Sequence, residues 1–190
     1  MQQVVIVLAD TTEQTEKNEE FIELIQAADM EIRKTFIQNL KSITLKTYIG
    51  IGKCEEIREY VQEQKPERIV FNHDLSPLQI RNLEDILQTP VMDRTELILA
   101  IFESRAVTRI ARLQIECAQL KKLLPRLVGA NTQLGRQSGS GKNRGAGEKQ
   151  LELDRRRINA RIQELQRELK KVEAQRLTQR RSRQKAMLPL

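Results

Sequence analysis

The five residues from Val4 to Leu8 are apolar without alternation, the pattern of a strand covered on both faces. After it comes helical spacing over Glu16–Ala28, with Phe21, Ile22, Leu24 and Ile25 near one face, and then a second β-rich run, Ile32–Ile37. The alternation continues with a helix from Lys53 to about Gln64, a strand at Arg68–Phe71, a helix starting at Pro77 with Ser76 as its N-cap, and a very short strand at Val91–Met92. Strand and helix in strict turn predict parallel crossovers, so the fold class is α/β: a small parallel sheet flanked by helices.

Beyond Met92 the periodicity changes. Asp93 and Glu96 make a capping-box-like start for a helix with no breaker before Pro125. Ile110, Leu113, Cys117, Leu120 and Leu124 then repeat at heptad spacing, and Leu151, Ile158, Ile162, Leu165, Leu169 and Val172 repeat again after Gly147. Each helix is too polar on its other faces to stand alone. The two seams are therefore expected to bury each other in a long antiparallel, coiled-coil-like hairpin. This organisation gives an α/β subdomain over 1–92 and a helical hairpin over 93–187. A tip loop over 129–147 joins the two helices.

Charge separates the same two parts. Met1–Ser104 carries 11 Lys/Arg against 19 Asp/Glu, net −8, whereas Arg105–Leu190 carries 22 against 7, net +15. A basic segment on an acidic chain points to a polyanion, because cations that neutralise phosphates release condensed counterions. The basic half has no aromatic residue to anchor it in a lipid interface. No apolar run approaches the ~18 residues of a membrane span, and the start MQQVVIVLAD has no basic n-region, so the expected location is cytoplasmic with no membrane anchor.

Six of the eight glycines lie in 129–147, together with Arg136, Lys142 and Arg144 and no acidic residue. Glycine allows close backbone approach and the cations suit phosphate, so the tip is a candidate RNA probe. GSGK at 139–142 fails as a phosphate-binding P-loop, since Arg136 and Asn143 replace the required Gly and Ser/Thr; GIGKC at Gly50–Cys54 fails the same pattern. Cys54 and Cys117 lack metal or redox spacing and are expected to pack. His73 has no evident dyad partner and fits a surface turn, while helix capping and an ion pair account for Asp93, Arg94 and Glu96. Two alternatives stay open. One is a nucleotide-binding α/β domain with phosphohydrolase activity that uses Asp10, Asp74 or Asp93 at the strand ends. The other is a coiled-coil interaction module that dimerises through its heptads.

Five strings narrow the choice: YIGIGKCEEI (Tyr48–Ile57), FNHDLSPLQIRNLE (Phe71–Glu84), VMDRTELILAIFESRAVT (Val91–Thr108), LQIECAQLKKLLPRL (Leu113–Leu127) and RGAGEKQLELDRRRI (Arg144–Ile158). In this order they resemble the N-terminal region of the HflX family of ribosome-associated GTPases. The resemblance implies a GTPase domain, using GTP and Mg, that would begin at about 188–190 and is otherwise absent, with no cofactor held by this chain itself. It also implies binding to the large ribosomal subunit, with ribosome dissociation or rescue as the outcome. Carried over by position, the rRNA-contacting tip would be Arg136, Gln137, Gly139, Gly141, Lys142, Arg144, Gly145 and Gly147. Arg155, Arg156 and Arg157 would be either phosphate contacts or structural ion pairs. The chain departs from the family's loop at Ala146, where Pro is usual, and at Lys142 and Asn143, where small residues are usual.

Overall fold

The computed structural model describes residues 1–10, 15–137 and 144–186, which form two compact units, Met1–Arg105 and Ala106–Leu190. In the first, β1 (Gln2–Asp10), α1 (Thr15–Ala27), β2 (Met30–Asn39), α2 (Ile51–Gln64), β3 (Arg68–Phe71), α3 (Pro77–Leu87), β4 (Val91–Met92) and α4 (Arg94–Arg105) follow one another. The sheet is wholly parallel, in the order β2-β1-β3-β4.

Central β1 is buried on both faces, as its unbroken apolar run requires. Val5, Val7 and Ala9 meet Phe36, Ile69, Phe71 and Val91, closed over by Cys54, Ile57 and Val61 of α2 and Ile80, Leu83 and Leu87 of α3. On the other face Val4, Ile6, Leu8, Val70 and Met92 lie under Phe21 and Ile25 of α1 and Leu97 and Ile101 of α4. A sheet covered twice commits nearly every apolar side chain of these strands, which is why single truncations here are expensive.

Helix ends follow local chemistry. Ser76 Oγ accepts from the Gln79 backbone N–H while Gln79 Oε1 accepts from the Ser76 N–H, a complete capping box with Pro77 beginning α3. At the start of α4, buried Asp93 accepts from the Glu96 N–H at 2.9 Å. Lys65 and Gln88 close α2 and α3 in the left-handed region with φ of 46° and 53°, where a side chain is tolerated at a cost glycine would avoid.

The second unit is two helices, α5 (Arg109–Gln137) and α6 (Arg144–Ala186). Two expectations change here. The helix predicted to run unbroken from Asp93 stops at Arg105 and restarts at Arg109, because the Thr108 hydroxyl caps the new helix by accepting from the Ala111 N–H at 3.2 Å. Pro125 then does not end it: α5 runs on to Gln137. Proline removes only its own backbone donor and crowds one carbonyl, and helix formers on both sides together with the partner helix keep the run going. The predicted tip loop is accordingly helical up to Gln137 and again from Arg144.

Candidate nucleic-acid interface

The hairpin is assembled from the central positions of the predicted seams, with Ile110, Leu151 and Val172 outside the packed cluster. Leu113 and Cys117 of α5 pack on Ile162 and Leu165 of α6, with Leu120, Leu124, Ile158 and Leu169 extending the strip. Leu165 is fully buried, yet residues to either side of it along α6 are exposed, so the apolar contact is one side chain wide.

Ionic clasps fix the register. Arg161 reaches across to Glu116, its Nε and Nη2 donating to the two carboxylate oxygens at 2.7 and 3.1 Å, and also holds Glu164 of its own helix. These carboxylates hold the guanidinium charged more firmly than usual. Arg109 reaches Glu168 at 2.8 Å. From Arg109 to Glu116 is seven residues forward, from Glu168 to Arg161 seven back, which is an antiparallel pairing in register. Neither Arg109 nor Arg161 stood out in the sequence. The signal was there, in a carboxylate on the opposite helix at the mirrored heptad position.

The Arg155–Arg157 triplet sits on α6 in intrahelical ion pairs: Arg155 and Arg156 with Glu152, at 3.6 and 3.1 Å, and Arg157 with Asp154 at 3.5 Å. All three arginines stay exposed, so these pairs are weak and exchangeable. Of the tip residues, Gly139, Gly141 and Lys142 lie outside the described residues. Arg136 and Gln137 end α5, while Arg144, Gly145 and Gly147 belong to the first turn of α6; the side chains of this stretch are likewise outside what the structure describes.

At the carboxyl ends of the strands the chain brings together residues that sequence reasoning left apart. The connection after β1 leads toward β2 and that after β3 toward β4, so their carboxyl ends form the sheet's switch point, where ligands of open α/β sheets usually bind. Asp10 and Asn72–His73 meet there. His73 Nε2 lies 2.7 Å from Asp10 Oδ1, and the Asn72 amide donates to Asp10 Oδ2 at 3.1 Å and to Asn18 Oδ1 at 3.3 Å. His73 stacks on Tyr48, with ring centroids 5.5 Å apart, and Tyr48 is held at φ 66°. Burial, and secondarily the Asp10 charge, pushes the Tyr48 phenol above its ordinary pKa.

The three carboxylates that could have faced a metal-bound phosphate are engaged within the fold. Asp10 bonds His73 and Asn72, Asp74 accepts from the Thr95 backbone and hydroxyl, and Asp93 accepts from the Glu96 and Leu75 N–H groups. His73 thus lies in the turn after β3, partly exposed, and also joins that turn to β1 through Asp10, a partner that the sequence did not suggest.

Residues 15–103 match the family described as GTP-binding GTPase N-terminal, and residues 105–183 match the GTP-binding GTPase middle region. Curated relatives named GTPase HflX include one from Escherichia coli (strain K12), 44% identical over 171 residues, and one from Caldanaerobacter subterraneus subsp. tengcongensis, 40% identical over 187 residues. This chain belongs to the HflX family. It corresponds to the family's N-terminal and middle regions. The matches take in 90% and 98% of the chain but 40% and 44% of those two HflX proteins, so the chain spans less than half the length of its curated relatives. Among solved structures, a complex of SsGBP with GDP superposes with a TM-score of 0.71 at 22% identity, over 94% of this chain and 46% of that one, which establishes a shared fold. The G235S variant of SsGBP has a TM-score of 0.58 at 26% identity over 69% of this chain and 42% of that one. Among the described residues no helix is long and apolar enough to cross a membrane, and no cluster of His, Cys, Asp or Glu is suited to a metal ion.

Proposed function

We propose that this chain is the rRNA-binding part of an HflX-type GTPase, acting in the cytoplasm on the large ribosomal subunit. The observation that carries the reading is the concentration of charge. A net +15 lies on a segment whose buried apolar side chains, among the described residues, form one narrow seam, and many of its cations are exposed. Such a surface gains affinity from phosphate neutralisation and needs no base-specific contact.

In this reading Arg136, Gln137, Lys142 and Arg144, with Gly139, Gly141, Gly145 and Gly147 letting the backbone come close, make the contact at the tip. GTP and Mg belong to the remainder of HflX-type proteins, which this chain does not span and with which it would work as a partner.

Co-sedimentation with purified large and small subunits across a salt series tests the proposal. The parent chain is expected to pellet with the large subunit at low salt, and a variant with Arg136, Lys142 and Arg144 replaced by Ala to lose most of that binding. Equal pelleting of parent and variant at moderate salt would remove the tip from the interface.

A further inference from the structure

α6 outlasts its partner. α5 begins at Arg109, opposite Glu168, whereas α6 continues from there to Ala186, about 18 residues or on the order of 27 Å further. Along that overhang the seam changes character. Leu165 and Leu169 belong to the packed seam and Val172 is half-buried, but the next positions at heptad spacing are Arg176 and, one turn on, Arg180, both exposed. Lys170 and Lys171 stand on the outer side of the same helix, next to Arg167. From Leu169 to Ala186 the sequence holds seven Lys/Arg and one acidic residue, Glu173.

These cations differ from those nearer the tip. Arg155, Arg156, Arg157 and Arg161 each have a carboxylate, but among the described residues no ion pair or hydrogen bond engages Arg167, Lys170, Lys171, Arg176 or Arg180. A helix that keeps its length while exchanging its apolar seam for unpaired arginine is built to meet a polyanion.

We propose that Arg167, Lys170, Lys171, Arg176 and Arg180 form a second phosphate-binding surface at the end of the hairpin opposite the tip, and that its partner is the RNA backbone. The inference rests on the ribosome-binding reading and deepens it. RNA is favoured over an acidic protein because the overhang has no aromatic residue and, beyond Leu169 of the seam, only Val172 and Leu177 as large apolar ones, too little for the apolar core that a protein interface needs. Phosphate contacts need only the cations.

The test uses the full chain, a short RNA duplex and purified large subunits, with affinity measured against salt. In the variant Lys170→Gln, Lys171→Gln, Arg176→Gln, Arg180→Gln, glutamine keeps helix propensity while removing charge. The slope of log affinity against log salt should flatten by about 0.9 for each phosphate no longer neutralised, so by roughly 2 to 4. A charge-balanced variant of the exposed ion pair on β2, Glu31→Gln, Arg33→Gln, should leave the slope unchanged. As a check independent of folding, Lys170 and Lys171 of the parent should be protected from acetylation by bound RNA while exposed Lys41 is not.

An unchanged slope in the fourfold variant, with parent binding intact, overturns the second surface and leaves the tip reading standing. Intact RNA binding with lost binding to polyglutamate overturns it in favour of an acidic protein. A parent chain with no salt-dependent RNA binding overturns both this inference and the proposed function.

Discussion

The α/β unit and the hairpin use similar numbers of residues for opposite ends. In the first, the sheet is covered on both faces, and Asp10, Asp74 and Asp93 are tied into hydrogen bonds that join one element to the next. In the second, burial is a strip one side chain wide, and charge is left outside. The contrast shows how one chain divides stability from reach. A layered core keeps its apolar surface for itself, while a two-helix arm needs just enough of it to hold register and can offer the rest of its surface to a partner.

The largest effect that would sharpen this comparison comes from paired truncations. Phe71→Ala, at a fully buried site under α2 and α3, is expected to lower the unfolding free energy of the first unit by about 3–5 kcal/mol. Leu165→Ala is expected to cost about 2–4 kcal/mol and to melt helical signal from α5 and α6. Denaturant titrations followed by circular dichroism would measure both. If Leu165→Ala proved harmless, the seam would not be what holds the arm together.

A smaller effect is pH dependence confined to the first unit. Burial pushes both the Cys54 thiol and the Tyr48 phenol above their ordinary pKa values, so each favours its neutral form in the fold. The stability they contribute is complete below the unfolded pKa of each group and is lost as pH rises through the folded one, that is, on the alkaline side. Urea midpoints measured from neutral to alkaline pH should fall, and Cys54→Ala should remove the earlier part of that fall. Cys54 should also react slowly with thiol reagents at neutral pH.

The smallest effect is local. Lys65→Gly and Gln88→Gly relieve left-handed backbone at the ends of α2 and α3 and should each stabilise the first unit by about 0.5–1 kcal/mol, read from thermal midpoints. A loss of stability in either variant would mean that unfolded-state entropy outweighs the relieved strain.

How much of the molecule is legible in its sequence follows the same division. β3 and β4, the Ser76–Pro77 start of α3 and both heptad seams were legible, because each depends on residues a few positions apart. The restart at Arg109 was not, since Thr108 caps it with no Gly or Pro to mark the break. Passage through Pro125 was hidden because a local breaker was outweighed by its neighbours and the partner helix. The Asp10–His73 contact spans 63 positions of sequence, and only the strand order brings the two together. The tip cations were read from composition, and their side chains lie outside the described residues.

The two limbs of the hairpin also differ in compliance. α5 carries Pro125, Gly129 and Gly135, each a place where a helix bends easily. α6 has neither Gly nor Pro from Glu148 to Ala186, an uninterrupted strut on the order of 58 Å long. A load applied near one end of that strut has no hinge along α6 in which to dissipate, so displacement at the tip side is delivered to its far end, while α5 takes up the bending.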